Sequence, residues 1–422
     1  MKRCLSATGL AVFLGCSSSS GPVVPPGGGG NLGQSGGTGG TLIAPAANVL
    51  DLIVDSGPEG MTSPGATINV LYTTVTICQP GTSQCQTLDH VLLDTGSFGL
   101  RVLESLVTLE LPDVVSGTGQ TVAECAPFVD GVAWGPLKSA DIVLGGETAA
   151  GLSIQLIGEG RFNLPADCTG VAYADLDTLG SKGILGVGIL TQDCGPNCAL
   201  STRANPGYYY TCAGAAACST AAVPVAQQVA NPVAALPVDN NGVIIVLPNV
   251  AATGAPSVPG QWLLGIGTQE NNGLGNATIL ELDSRGVVYT TFPAGSSARY
   301  ASMMDSGSNG LFFLDAATTG LKMCTQAGLA DWYCPTTTTS LHATLLAASG
   351  SEVPVDFAVG NLAKLKATAF AWGELAGPVP FYATTPSMPA FDWGLPFFFG
   401  RTVYTAIEGR ATPAGTGPFL AF

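Results

Sequence analysis

Charge is scarce in this chain, and positive charge is scarcest. Its 422 residues carry 14 Lys and Arg against 29 Asp and Glu, for a formal net charge of −15 with only 10% of residues charged. So few basic side chains cannot neutralise a run of phosphates, which excludes nucleic acid and acidic lipid surfaces as electrostatic partners. Histidine is nearly absent, with only His90 and His342, and no CxxC pair or HxxxH cluster accompanies the cysteines. A metal centre therefore lacks a ligand set, and neither metal nor cofactor is expected. Gly183 to Gly188 is not a GxGxxG, and no GK[ST] follows any glycine-rich stretch, so nucleotide binding has no support. Long apolar runs are missing too: Leu5 to Leu14 is mostly apolar but too short to span a bilayer.

What the chain does have is turn residues and apolar ones. It contains 57 Gly and 29 Pro, and 46% of its residues are hydrophobic. That balance fits an all-β protein with many turns, and the length allows two or three domains or one large bilobed body.

The first residues read as an export signal. Met1-Lys2-Arg3 is a short basic region, an apolar core follows, and Phe13-Leu14-Gly15-Cys16 resembles a bacterial lipobox in which Cys16 becomes the lipidated first residue. An ordinary secretory signal cut nearby is the alternative. Residues 1–15 are thus read as signal peptide and 16–45 as a Gly/Ser/Pro-rich tether, since Ser17 to Ser20, Pro25-Pro26 and Gly27 to Gly30 cannot bury a core. Together they place the folded body in the bacterial cell envelope as an outer-membrane lipoprotein held by an N-terminal lipid anchor. A periplasmic or secreted protein is the other outcome.

Ten further cysteines support export, because an even count in an exported chain reads as disulfides. Short loops would join Cys78 with Cys85, Cys194 with Cys198, Cys212 with Cys218 and Cys324 with Cys334, leaving Cys125 with Cys168 by elimination. Spacing alone leaves other pairings open.

Along the body, Ile68 to Ile77 and Leu88 to Leu93 predict a hairpin, and residues 125–157 predict more strands. Residues 191–222 read as a cysteine-bearing surface insertion, with Tyr208 to Tyr210 at its centre packing within a disulfide-rich loop in preference to contacting a ligand. Gln227 to Ala235 predicts a short helix, and Val243 to Leu247 a buried strand. Ala277 to Leu282 and Val287 to Phe292 predict a hairpin about Asp283-Ser284-Arg285-Gly286, and Leu362 to Trp372 a further strand. The lobes expected are 46–225 and 226–422.

One phrase occurs twice. Val91-Leu92-Leu93-Asp94-Thr95-Gly96-Ser97-Phe98-Gly99-Leu100 and Ser302-Met303-Met304-Asp305-Ser306-Gly307-Ser308-Asn309-Gly310-Leu311 each run an apolar strand into Asp, a hydroxyl residue, Gly and Ser. A lobe-length repeat points to a duplicated domain, with one carboxylate from each copy meeting at a shared site. Asp55-Ser56-Gly57 looks similar but runs into Pro58-Glu59-Gly60, where the phrase needs an apolar run.

The order of these motifs resembles the pepsin-like aspartic proteases, whose lobes each contribute the Asp of a D-[TS]-G-[ST] loop. Ile184-Leu185-Gly186 resembles the family's hydrophobic-hydrophobic-Gly support, and Trp393-Gly394 through Tyr404 its second copy and closing strand. The resemblance covers most of residues 65–410. It implies a bilobed double-β-barrel (acid protease) fold with an active cleft between the lobes, accepting an extended peptide or protein. Gly265-Ile266-Gly267-Thr268-Gln269-Glu270-Asn271-Asn272 and Gly394-Leu395-Pro396-Phe397-Phe398 resemble instead a bacterial family of exported, Cys-rich proteins of unknown function.

In the family, Asp94 and Asp305 would form the catalytic dyad, Thr95 and Ser306 would brace the loops, Ser97 and Ser308 would donate to the carboxylates, and Gly96 and Gly307 would allow the tight turn. Three features depart from it. Glu124 to Gly135, where a flap with a Tyr is expected, has no Tyr, leaving Phe128 or Trp134 as candidates to close the site. Asp392 stands where the second support motif has an apolar residue. No basic propeptide is evident. A Ser-His-Asp triad is a poor rival, since neither histidine lies near a nucleophile-elbow pattern. A two-carboxylate glycosidase would not explain the matching flanks. The expected function is water-mediated peptide hydrolysis; the alternative is a catalytically silent envelope lipoprotein that keeps the fold as a binding or structural module.

Overall fold

The computed structural model describes residues 40–62, 67–200, 208–379 and 390–422. Cys16, the signal segment and the tether up to residue 39 lie outside the described residues.

Short strands joined by tight turns make up nearly all of the body. After β1 (Val49–Val54) comes a hairpin, β2 (Leu71–Cys78) and β3 (Cys85–Asp94), closed by the Cys78–Cys85 disulfide. β3 ends on Asp94, and β4 (Phe98–Leu103) leaves it with every residue buried. A second hairpin, β5 (Thr121–Pro127) and β6 (Val132–Leu144), leads into β7 (Glu147–Ile157). β8 (Gly183–Val187) then runs parallel to β3 and antiparallel to β4, lying between them. β9 (Tyr209–Cys212) and β10 (Cys218–Thr220) complete the first half.

The second half repeats the arrangement around Asp305. After β11 (Gly242–Val246), β12 (Val258–Leu264), β13 (Ile279–Glu281) and β14 (Val288–Thr291), β15 (Arg299–Met304) delivers Asp305 and β16 (Leu311–Phe313) leaves it. β17 (Thr339–Leu346) and β18 (Glu352–Val359) form a hairpin, and β19 (Ala376–Gly377) flanks β16. β20 (Phe391–Trp393) slots between β15, parallel, and β16, antiparallel, just as β8 does in the first half. β21 (Thr402–Ala406), β22 (Ala411–Thr412), β23 (Gly415–Thr416) and β24 (Phe419–Ala421) close the chain. The α-helices among the described residues have four residues each.

Seven strands around Asp305 form one sheet, while a fifteen-stranded sheet takes in the first half together with β11, β12, β13, β21 and β24. β1 is the link: it pairs with β12 from Val49↔Leu263 to Val54↔Val258. A single hydrophobic core runs through both halves, from Leu52 and Leu93 to Phe391 and Leu420. The lobes are therefore welded by backbone ladders as well as by side-chain packing.

Several local expectations need correction. Gln227 to Ala235 is not a helix but two 3-10 turns, Val225–Gln227 and Val233–Ala235. Pro232 inside the segment lacks the N–H that a continuous helix would need. The turn at Asp283 to Gly286 forms, with Gly286 N–H donating to Asp283 O at 2.9 Å. Its flanks nevertheless diverge: β13 pairs with β24, and β14 with β15 and β17. Leu362 to Trp372 contains a 3-10 turn at Leu362–Lys364 rather than a strand, and buries Leu362 and Trp372 against Leu375 and Cys324 from irregular backbone. Tyr208 to Tyr210 pack inward as expected, all three being buried, but they do so from a strand and not a surface loop: β9 adds to the edge of β5.

Five disulfides join the ten cysteines in the pairs expected, including Cys125–Cys168 across 43 positions. Bridges of this density persist in oxidising compartments. No helix among the described residues is long and apolar enough to cross a membrane.

Candidate active site

The two Asp-hydroxyl-Gly-Ser loops meet head to head. A Cβ on Gly96 would lie 2.7 Å from the Asp305 carboxyl carbon, and one on Gly307 would lie 2.5 Å from Asp94 Oδ1. Glycine at both positions is thus a condition for the carboxyls to approach. Each carboxyl is held in the same way. Gly96 N–H donates to Asp94 Oδ1 at 2.7 Å and Ser97 Oγ to Oδ2 at 2.5 Å; Gly307 N–H donates to Asp305 Oδ1 at 2.8 Å and Ser308 Oγ to Oδ2 at 2.7 Å.

Behind the carboxyls, each loop grips the backbone of the other. Thr95 Oγ1 donates to Met304 O at 3.2 Å and accepts from Ser306 N–H at 3.0 Å. Ser306 Oγ donates to Leu93 O at 2.8 Å and accepts from Thr95 N–H at 3.1 Å. The Gly of each support motif lets the loop pass: a Cβ on Gly186 would meet Phe98 N at 2.3 Å, and one on Gly394 would meet Gly310 O at 2.2 Å.

Burial, then the neighbouring charge of Asp305, holds the Asp94 carboxyl well above the usual carboxylate range. Two carboxyls facing each other this closely cannot both ionise readily, so the negative charge of one opposes ionisation of the other.

Both aspartates line one cleft of about 760 Å³. Its roof is the β5–β6 hairpin, whose tip closes with Phe128 N–H donating to Gly131 O at 2.8 Å and presents Phe128 and Val129 to the cleft. Phe128 packs against Tyr173 with ring centroids 5.9 Å apart, and the Tyr173 hydroxyl bonds to Asp130 at the same tip. Trp134 is elsewhere. It is buried edge-on to Tyr210 at 5.3 Å and donates its indole N–H to Phe162 O at 3.1 Å. Of the two flap candidates, only Phe128 reaches the cleft. The roof is also broader than a lone hairpin, because β9 and β10 extend it and Cys125–Cys168 and Cys212–Cys218 pin it.

Sequence reasoning missed a charged cluster under this roof. Arg101 Nη2 lies 2.7 Å from Glu124 Oε1 and 2.9 Å from Asp193 Oδ2, and all three residues are at most 3% exposed. Tyr209 donates to Asp193 Oδ1 at 2.6 Å. Burial opposes the Arg101 charge, but Glu124 and Asp193 outweigh it and hold the guanidinium above its ordinary value. Burial and the Glu124 charge push Asp193 well above the carboxylate range. A signal was available: Arg101 interrupts the apolar run after the first Asp loop, at the place where the second copy has Phe312.

Asp392 is also at the site. It lines the cleft, and burial, followed by the charges of Asp305 and Asp94, holds it well above the carboxylate range. Neither histidine lines the cleft. His90 pairs with Asp55 at 3.3 Å, and exposed His342 with Asp356 at 2.7 Å. No group of His, Cys, Asp or Glu among the described residues is arranged to hold a metal ion.

No curated protein matches the chain. Among solved structures it is similar to the aspartic proteinase from Irpex lacteus, at 14% identity and a TM-score of 0.51, covering 88% of this chain and 96% of that one. Identity this low shows the fold alone: all-β and pepsin-like, with the two Asp loops where its halves meet. A family model described as "Protein of unknown function (DUF3443)" matches residues 44–422, and the chain belongs to that family.

Proposed function

We infer that the protein is an aspartic endopeptidase that hydrolyses extended peptide chains with a water held between Asp94 and Asp305. The observation that carries this reading is the reciprocal geometry of the two loops, in which each carboxyl faces the other's glycine and accepts from one backbone N–H and one serine. Such a pair shares one proton. The raised Asp94 is the acid that polarises the scissile carbonyl, and Asp305 is the base that takes a proton from the attacking water. No covalent intermediate forms. An extended substrate would lie under Phe128 and Val129, adding backbone hydrogen bonds as a strand does. The fold likeness to an aspartic proteinase supports the reading.

The test is to offer denatured proteins to the full chain from about pH 3 to 7, the range in which a shared-proton dyad works. Cleavage that Asp94→Asn and Asp305→Asn each abolish is expected. No cleavage by the wild type, or cleavage that survives either substitution, overturns the reading in favour of a silent binding module. Attachment to the envelope through Cys16 is part of the proposal. Cys16→Ser or globomycin should change the processed mass and release the protein from membranes, and an unchanged mass would refute the anchor.

A further inference from the structure

The two halves hold their aspartates alike but differ at one strand position behind them. β3 pairs with β8 as Leu92↔Ile184 and Asp94↔Gly186, while β15 pairs with β20 as Met303↔Asp392 and Met304↔Trp393. Two residues before the support glycine, one half therefore has Ile184 and the other Asp392. The Asp392 Oδ1 atom is buried and has no hydrogen-bond partner, and the carboxyl lies within interacting reach of the Ser308 hydroxyl. That hydroxyl has a single hydrogen, which it gives to Asp305 Oδ2 at 2.7 Å. Its oxygen is left free to accept.

We propose that Asp392 is a positioning residue for the dyad, which in its neutral form donates to Ser308 Oγ and thereby commits the Ser308 hydrogen to Asp305. The relay runs from the Asp392 O–H to Ser308 Oγ, and from the Ser308 O–H to the Asp305 carboxylate. Ionised Asp392 has no hydrogen to give and competes with Asp305 for the serine hydrogen. Losing the Asp392 proton thus loosens Asp305, the base of the reaction. The first half has no such control, because Ile184 cannot titrate.

Burial and the facing carboxyls of Asp305 and Asp94 favour the neutral form and outweigh the Ser308 hydroxyl, which would favour the ionised form if it turned its hydrogen to Asp392. Its strand neighbours, Met303 and Phe312, carry no charge. The basic groups lining the cleft are engaged elsewhere: Arg101 with Glu124 and Asp193, and Arg285 with Asp283 and Tyr289. Among the described residues no cation is placed to draw the proton off.

The effect on turnover rests on the peptidase reading, whereas the titration of Asp392 does not, so two measurements separate them. In the first, the full chain carrying 13C-labelled aspartate is titrated by NMR. One carboxyl that is still protonated above the usual Asp range should vanish in Asp392→Asn, and in Ser308→Ala its midpoint should move. Identical titrations of wild type and Asp392→Asn would overturn the proposal whether or not the protein cleaves peptides. In the second, kcat/KM is followed against pH. Asp392→Asn keeps a donor to Ser308 at every pH, so its alkaline limb should move up by about one unit or more. Asp392→Ile, which copies the other half, should lower kcat while leaving KM within twofold. An Asn variant whose alkaline limb superimposes on that of wild type, or an Ile variant with unchanged kcat, refutes the positioning role. An inactive wild type in which Asp392 still titrates above the usual Asp range, and in which that titration responds to Ser308→Ala, refutes only the peptidase reading.

Discussion

Thr95→Val is the most informative single perturbation of the loops. Valine matches threonine in shape but replaces the hydroxyl that donates to Met304 O at 3.2 Å and accepts from Ser306 N–H at 3.0 Å. Thr95 is 7% exposed and Ser306 fully buried, so water cannot replace either partner. Leaving a buried polar group unpaired costs about 1–3 kcal/mol. With two groups affected, the loss of stability is on the order of 2–5 kcal/mol. Denaturant unfolding of the full chain with its disulfides intact measures it. Thr95→Ser retains the hydroxyl and drops a methyl, which costs only about 1 kcal/mol. Ser306→Ala removes the other reciprocal pair, to Leu93 O and from Thr95 N–H. Since both pairs clamp the same two loops, the double variant should lose less than the sum of the singles, with a coupling of about 0.5–3 kcal/mol. A Thr95→Val protein within about 0.5 kcal/mol of wild type, or strict additivity, would refute the clasp.

Two other substitutions test the charges around the cleft. Arg101→Met strips the counter-charge from buried Glu124 and should destabilise the fold by about 3–5 kcal/mol at neutral pH. Its stability should recover in the Arg101→Met/Glu124→Leu double variant, which removes the stranded carboxylate as well; a double variant no more stable than Arg101→Met would refute the electrostatic account. Asp94→Asn has the opposite sign. Because the folded Asp94 binds its proton more tightly than the unfolded chain does, its contribution is complete below the unfolded value near 4 and is lost as pH rises through the folded one. The variant should therefore unfold later than wild type near neutrality and converge with it toward acid. A gap that widens in acid would contradict the assignment.

The features readable from sequence are those encoded locally. Gly96 and Gly307 announce a backbone that must approach something closely, and the flanking Asp, hydroxyl and Ser residues say what. Four of the five disulfides close loops of at most 10 positions, so proximity in sequence already implied them. What could not be read depends on distant pairing. Glu124 and Asp193 meet Arg101 only because β5 and the segment after β8 converge on β4, and nothing near Arg101 in sequence names them. The two flap candidates show the same limit at short range. Register pairs Trp134 with Cys125, which assigns it to the disulfide-bearing face with Tyr210, while Phe128 at the turn escapes that alternation and meets the cleft.

The β1–β12 pairing constrains the order in which this molecule can be made. A chain synthesised from its N-terminus releases Val49–Val54 early, yet on the β2 side that strand pairs only as Ile53↔Tyr72 and Val54↔Leu71. Its ladder along the other edge waits for Val258–Leu264, by which time the whole first Asp loop has emerged. An unpaired edge strand is both slow to satisfy and prone to wrong partners. A nascent chain halted before β12 would therefore expose a sticky edge rather than a finished half, and Asp94 would meet Asp305 only in a molecule that had passed this checkpoint. The first strand thus ties the sheet to the same late part of the chain that completes the cleft.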